Sequence, residues 1–207
     1  MTGPVKKVFI VDDDDSFLRS IERLLRSAGY ATECFSSAEE FLVQRPSGAA
    51  GCVLADLQMP GMDGMALQAT LAQSADPLPI VFLTGHGDIP ISVEAMRQGA
   101  EDFLVKTAPK ELVIAAIERA LARNARERSA LAHRQRLQSR FEKLTPREHE
   151  VLSHVMQGKR NKGIADDLGI DERSVKRHRT NLMRKLGVTS VAELVQLAVE
   201  SGMPAEG

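Results

Sequence analysis

The fold is decided by residues 52–64, which read CVLADLQMPGMDG. Their apolar start predicts a buried strand, which ends on a single carboxylate, Asp56, and is followed by a turn at Pro60-Gly61. An aspartate in this position can also cap a helix or form a turn. Asp63 is already a candidate cap for the next helix, so Asp56 has no evident structural task. The pattern therefore favours a chemical role for Asp56.

Strand-like and helix-like segments alternate on both sides of this stretch. We predict strands at residues 5–11, 31–35, 51–56, 79–84 and 102–106, and helices at residues 16–27, 37–44, 65–73 and 90–97. A long helix is expected from Pro109, although the sequence does not decide how far it runs through the arginine-rich segment that follows. This alternation predicts an α/β fold in which helices cover both faces of a five-stranded parallel sheet.

The net charge of −1 conceals two halves of opposite sign. Residues 1–118 carry 9 Lys and Arg against 17 Asp and Glu, whereas residues 119–207 carry 18 against 11. This division indicates two domains, the second with a polyanionic partner. Two distant cysteines favour a reducing compartment, and the sequence has neither a signal-peptide pattern nor an apolar run long enough to cross a membrane. We therefore expect a cytoplasmic protein without a membrane segment.

Four of the predicted strands end on polar side chains. These are Asp12 and Asp13, Asp56, Thr84 and Lys106. Ligands of open α/β sheets bind beyond the carboxyl ends of the strands, where these groups converge. Clustered carboxylates repel one another unless a cation lies among them, and hard oxygen ligands suit Mg²⁺. With an ammonium and a hydroxyl group opposite, the set predicts transfer of a phosphoryl group onto a carboxylate.

Some of these residues also have a purely structural interpretation. The run Asp12–Asp15 can cap the following helix, and we assign only that task to Asp14 and Asp15. Thr84 can be an ordinary strand end. His86 lies where it can influence hydrolysis of the phosphate, but a solvated loop residue is the favoured interpretation.

Five separated motifs resemble the receiver domain of bacterial two-component response regulators, over about residues 4–122. They are Val8-Phe9-Ile10-Val11-Asp12-Asp13, Asp56, Met59-Pro60-Gly61-Met62-Asp63-Gly64, Thr84-Gly85, and Phe103 three residues before Lys106. The resemblance implies a flavodoxin-like (CheY-like) sheet with the strand order 2-1-3-4-5. It also implies that Asp56 is the phosphoacceptor and that Lys106 pairs with the phosphate.

The same resemblance implies a bound divalent cation, Mg²⁺ or Mn²⁺. Its ligands would be Asp12 (mainly through water), Asp13, Asp56 and the main-chain carbonyl of Gln58. Thr84 would bind phosphoryl oxygens and draw Phe103 inward, although Phe103 can equally be a core residue. One departure is that Thr107 follows Lys106 where the family usually has proline, and a Lys-Thr bond strongly prefers trans. Because of this departure, the sequence leaves open whether phosphorylation is coupled more weakly to the conformational change in this protein.

The basic half contains a helix-turn-helix pattern. Residues 145–148, Thr-Pro-Arg-Glu, form a capping box with proline at the first helical position. Two helices, at residues 161–168 and 172–186, are predicted around a turn at Gly169. A last helix is predicted at residues 191–199. Its residues available for packing are Leu194, Val195 and Ala198.

The helix predicted at residues 172–186 has an apolar and a polar face. Val175, Leu182 and Leu186 form the first, and the second holds Arg177, Thr180, Asn181 and Arg184, with Lys176 at the border. A cationic helix face is usually only solvated. The preceding turn and the basic loop at residues 159–162 favour DNA binding instead.

This half resembles the LuxR-type (NarL/FixJ) DNA-binding domain over about residues 143–200. The matching segments are LTPRE at 144–148, NKGIA at 161–165, VKRH at 175–178 and KLGV at 185–188. The resemblance implies base contacts by Lys176, Arg177 and Thr180. It implies phosphate contacts by Lys162, Arg173, Arg179 and Arg184.

Together the two halves are most similar to response regulators of the FixJ type. We expect a receiver domain at residues 1–122, a helical linker at 123–142 and a DNA-binding domain at 143–207, in a regulator rather than an enzyme. The expected partners are a sensor histidine kinase, a double-stranded DNA operator, RNA polymerase and, on phosphorylation, a second copy of the chain. One alternative is a constitutive DNA-binding regulator whose receiver switches weakly. Another is a phosphohydrolase with Asp56 as nucleophile, which is disfavoured because Gln58 stands where such enzymes carry a second acid.

Overall fold

A computed structural model describes residues 6–85 and 89–202. The chain divides into two compact units, Met1–Glu127 and Arg128–Gly207, and each is described by itself. The predicted strand start at Val5 and the loop residue His86 lie outside the described residues. The predicted domain boundaries at residues 122 and 142 stay a prediction.

The first unit contains a five-stranded sheet. Its strands are β1 (Lys7–Val11), β2 (Ala31–Phe35), β3 (Cys52–Ala55), β4 (Ile80–Thr84) and β5 (Asp102–Val105). They lie in the order β2-β1-β3-β4-β5, and every neighbouring pair is parallel. This confirms the predicted fold class and strand order. The order reverses between β1 and β3, so that their carboxyl ends border the crevice where ligands of such sheets bind.

Two of the helices that begin in the first unit have the caps that the sequence predicts. The helices that begin there are α1 (Asp15–Ser27), α2 (Ala38–Gln44), α3 (Gly64–Ala72), α4 (Ile89–Arg97) and α5 (Lys110–Phe141). Asp14 caps α1 by accepting hydrogen bonds from the backbone of Ser16 and Phe17, and Asp63 caps α3 by accepting one from Ala66. The arginine-rich segment is helical, and the division between the two units falls within α5.

The central strands β1, β3 and β4 are buried on both faces, and their side chains alternate between two apolar clusters. In β1, Phe9 and Val11 join one apolar cluster, and Val8 and Ile10 join the other. Within the described ranges, no helix combines the length and apolar character that a membrane crossing requires.

The second unit is helical. Its further helices are α6 (Pro146–Met156), α7 (Asn161–Leu168), α8 (Glu172–Leu186) and α9 (Val191–Ser201). The predicted capping box is present: the Thr145 hydroxyl accepts from the backbone of Glu148, whose side chain accepts in return from the Thr145 backbone. Gly169 ends α7 with φ 62°, a left-handed conformation that glycine adopts without steric cost.

One expected packing residue of the last helix is misassigned. Leu194 and Ala198 are buried as predicted, but Val195 is 37% exposed. Leu194 and Ala198 are four residues apart and therefore share one face, whereas Val195 is rotated about 100° from Leu194. Leu197 packs against the core in its place.

Candidate metal centre and nucleic-acid interface

The crevice at the carboxyl ends of the strands brings the predicted acidic residues together. Asp12 directly follows β1 and Asp56 directly follows β3, and both side chains are buried. Asp13 is exposed at the mouth of the crevice. One carboxylate oxygen from each of these three residues lies within 4.8 Å of the other two. Three converging carboxylates form a donor set suited to a hard divalent cation.

Lys106 forms the other side of this site, directly after β5. Its Nζ atom donates a hydrogen bond to Asp56 Oδ2 at 2.7 Å and forms an ion pair with Asp12 Oδ2, also at 2.7 Å. Partial burial lowers the pKa of this ammonium, but the hydrogen bonds and charges of the two carboxylates outweigh burial and raise it above its ordinary value. Lys106 is therefore held as a cation next to Asp56.

The crowding of charged groups in this site affects the pKa of Asp12. Burial raises the pKa of its carboxyl group, and the neighbouring Asp56 raises it further. Lys106 and the backbone N–H of Asp14, which donates at 3.0 Å, offset this only in part. A further positive charge among the carboxylates would lower this pKa and favour the ionised form. The electrostatics and the donor set thus fit Mg²⁺ or Mn²⁺.

The other predicted members of the site lie nearby. Gln58 is exposed, and its backbone N–H donates to Asp56 Oδ1 at 3.3 Å. Thr84 is buried at the end of β4, and its carbonyl accepts from the backbone of Lys106 at 2.8 Å. Phe103 is half-buried, with its ring centroid 6.1 Å from that of Phe82. Their roles in phosphoryl binding and switching stay predictions.

The turn after Asp56 is held by contacts that the motif does not reveal. The backbone of Gly64 donates to the Leu57 carbonyl at 2.9 Å. The backbone of Met62 donates to Glu39 Oε1 of α2 at 2.8 Å. These bonds close the loop between β3 and α3, and thereby set the position of Asp56 at its start.

One residue of the site escaped the sequence analysis. The Nζ atom of Lys106 lies 4.4 Å from the centroid of the Phe17 ring, a cation–π distance. In sequence, Phe17 is only part of the apolar face of α1, and no local signal couples it to β5. The bond between Lys106 and Thr107 is trans, and Lys106 nevertheless reaches both carboxylates.

In the second unit, α8 is held by one face and exposes the other. Val175, Leu182 and Leu186 are fully buried in the helical core, as predicted. Asp171 caps the helix by accepting from the Ser174 backbone at 2.8 Å. The opposite face is exposed at Lys176, Arg177, Thr180 and Arg184.

The cations of this unit divide into two groups. Several are engaged by the protein itself: Lys159 with Asp167, Lys185 with Glu148, and Arg147 with Glu150. Others are exposed, and their side chains have no hydrogen bond or ion pair to any part of the chain that the structure describes. These are Lys162, Arg173, Arg177 and Arg184. Lys176 has only a 3.5 Å contact with Glu172. Cations left without a protein partner, one at the start of α7 and three on α8, suit a polyanion.

Arg179 differs from the other predicted phosphate contacts. It is half-buried, and its guanidinium donates to Asn161 Oδ1 at 2.8 Å, which ties α8 to the start of α7. Thr180 is exposed, but its hydroxyl donates to the Lys176 carbonyl at 3.0 Å. Both contacts are invisible in a helical projection of the sequence.

Comparison with protein families assigns both parts of the chain. Residues 8–118 match the response regulator receiver domain, and residues 142–198 match the bacterial regulatory proteins of the luxR family. The chain is 40% identical to the response regulator protein TodT of Pseudomonas putida over 197 residues, covering 95% of this chain and 87% of TodT. It is 38% identical to the transcriptional regulatory protein FixJ of Bradyrhizobium diazoefficiens, covering 95% of this chain and 96% of FixJ.

Solved structures agree with these matches. The response regulator StyR has 45% sequence identity and a TM-score of 0.84, over 95% of this chain and 100% of that one. Full-length FixJ from B. japonicum has 37% identity and a TM-score of 0.58, over 98% of this chain and 100% of that one.

Proposed function

Because the chain belongs to the NarL/FixJ-type response regulators of two-component systems, with a receiver domain followed by a LuxR-type DNA-binding domain, we propose that Asp56 accepts a phosphoryl group. This family consists of transcription regulators that work with a histidine kinase and with DNA. The single observation that supports Asp56 most directly is its hydrogen bond from Lys106 beside the carboxylates of Asp12 and Asp13.

In the proposed reaction, a carboxylate oxygen of Asp56 attacks the phosphorus of a phosphohistidine on the kinase. A P–O bond to Asp56 forms while the P–N bond breaks, and the histidine nitrogen leaves with the bonding electrons. Lys106 then pairs with the phosphoryl oxygens, and Thr84 binds another of them. Receiver domains typically bind Mg²⁺; here Asp12, Asp13, Asp56 and the Gln58 carbonyl would hold it, and it supplies positive charge that stabilises the phosphoryl group.

We propose that phosphorylation of Asp56 changes the conformation of the surface formed by α4 and β5. Movement of Thr84 toward the phosphate draws Phe103 inward, which changes the groove that Phe103 shares with Val93 and Met96. Pairing of two receivers over this surface is supported by an exposed apolar stripe on α4, formed by Ile89, Val93 and Met96. Their spacing of four and three residues places them on one side of the helix.

In the second unit, α8 would enter the major groove of an operator. Lys176, Arg177 and Thr180 contact bases, and Lys162, Arg173, Arg179 and Arg184 contact phosphates. Two copies paired by phosphorylation present two such helices to a two-fold site and act on RNA polymerase there. Since the proposed target is the chromosome, we place the protein in the cytoplasm.

The test is phosphorylation of the full chain by acetyl phosphate and MgCl₂. Wild type is expected to gain the mass of one phosphoryl group, in a form that hydroxylamine removes, and to dimerise. Asp56→Asn is expected to do neither. The matched control is Asp63→Asn, since asparagine also caps a helix and the fold is retained. Equal phosphoryl uptake by Asp56→Asn and wild type would show that the acceptor lies elsewhere.

A further inference from the structure

We propose that Thr180 recognises the 5-methyl group of a thymine through its own methyl group, while the protein itself engages the Thr180 hydroxyl. The inference rests on the proposed DNA-binding function. It starts from one contact: Thr180 Oγ1 donates a hydrogen bond to the backbone carbonyl of Lys176, one turn earlier in α8, at 3.0 Å.

This hydrogen bond determines which group of the Thr180 side chain is available to contact a base. A hydroxyl group has one hydrogen, so a bond to the Lys176 carbonyl leaves no donor for the acceptor atoms of guanine, adenine or thymine. The bond also draws the oxygen toward the helix backbone, whereas the methyl group has no such tie. The exposed side chain therefore presents an apolar group to the groove. In the major groove, the apolar feature of a base pair is the thymine methyl.

The neighbours of Thr180 favour a base contact over a solvated role. Arg177 lies three residues before it and Arg184 four residues after it, so that the three share one side of α8. Both arginines are exposed and have no protein partner within residues 6–85 and 89–202. Two cations that bind the DNA on either side would hold the methyl group close to the base edges. Behind them, buried Val175 and Leu182 fix the helix to its domain.

Contact between the two methyl groups is expected to strengthen DNA binding about fourfold for each contacted thymine. This factor corresponds to the free energy of burying about one methylene group. The experiment first selects a binding sequence for the full chain, phosphorylated with acetyl phosphate, from a random duplex library. Each thymine of the selected duplex is then replaced singly by uracil, which removes only the 5-methyl group. Dissociation constants are measured for every duplex.

Two variants identify the group that makes the contact. Thr180→Val keeps a methyl group of similar shape and loses the hydroxyl, whereas Thr180→Ser keeps the hydroxyl and loses the methyl. The position is exposed and the three residues have similar helix propensities, so both variants are expected to fold, which circular dichroism checks.

The inference predicts at least one thymine whose replacement by uracil weakens wild type and Thr180→Val about fourfold and leaves Thr180→Ser unchanged. It is overturned if no uracil penalty depends on residue 180, or if Thr180→Val loses the penalty and Thr180→Ser keeps it, because the methyl group of residue 180 would then not be the group that contacts the thymine methyl. If wild type selects no sequence from the library, the DNA-binding function fails as well, which separates the two outcomes.

Discussion

A Cβ atom added to Gly64 would lie 2.6 Å from the carbonyl oxygen of Asp56 and 2.8 Å from the Phe82 ring. Neither neighbour can move away cheaply, because one is the backbone of the proposed phosphoacceptor itself and the other is a fully buried core ring. The glycine at the start of α3 thus allows the turn after β3 to fold back onto Asp56.

We therefore predict that Gly64→Ala displaces Asp56. A displacement of about 1 Å can cost a factor of about 100 in rate, and overpacking costs about 1–3 kcal/mol of stability. The initial rate of phosphoryl uptake from acetyl phosphate and the thermal midpoint measure the two effects. Gly163→Ala is the control, because a Cβ atom there meets nothing within 4 Å and the residue lies in the second unit. An uptake rate of Gly64→Ala equal to wild type contradicts the prediction.

A second prediction concerns the apolar stripe of α4. Val93→Asp adds one carboxylate from each copy to the proposed receiver interface and is expected to weaken phosphorylation-dependent dimerisation at least about tenfold, since like charges cost several kcal/mol at an interface. Sedimentation of the acetyl-phosphate-treated chain measures it, with phosphoryl content checked by mass. Val43→Asp adds the same charge at a valine of α2 that is 84% exposed, and should dimerise normally. Equal dimerisation of the two variants would exclude the α4 surface.

A third prediction follows from the ion pair between buried Glu148 and half-buried Lys185, whose Oε2 and Nζ atoms lie 2.7 Å apart. Burial disfavours the Glu148 carboxylate, but hydrogen bonds from Lys185 and Thr145 outweigh it and hold its pKa below the ordinary value. A carboxyl group whose pKa is lowered by folding stabilises the folded state above its unfolded pKa, and this contribution is lost as the pH falls through the folded pKa.

Glu148→Gln is accordingly expected to destabilise the second unit by about 2 kcal/mol at pH 7, and by progressively less as the pH falls below the ordinary glutamate value of 4.5. Hydrogen exchange of α6 and α8 amides in the full chain measures this free energy locally. Glu150→Gln, which removes the exposed partner of Arg147 in the same helix, should change it by no more than about 0.5 kcal/mol. A pH-independent loss in Glu148→Gln would refute the electrostatic explanation.

A fourth prediction compares a cation that has no protein partner with a cation that pairs with a carboxylate of the protein. Lys162→Ala is expected to reduce the slope of log affinity for DNA against log salt concentration by about one, because one fewer counterion is released. Arg147→Ala should leave this slope unchanged, since that guanidinium already pairs with Glu150. Binding isotherms from 50 to 200 mM salt measure both. The DNA-binding face is misassigned if the two variants behave alike.

Much of this protein is determined by the sequence alone because it depends on local geometry. The alternation of strands and helices, the capping residues Asp14, Asp63 and Thr145, and the two faces of α8 all follow from backbone periodicity and nearby hydrogen bonds. The convergence of Asp12 and Asp56 follows from the rule that parallel strands end at one edge of the sheet.

Only the tertiary structure decided which distant groups meet and which side chains remain exposed. The contact of Lys106 with Asp56 spans 50 residues of chain, and that of Lys106 with Phe17 joins the residue after β5 to the first turn of α1. The bond of Arg179 to Asn161 and the exposure of Val195 depend on how neighbouring helices pack. The physical reason is that periodicity defines the face of an element, whereas the partner of that face depends on where the rest of the chain folds.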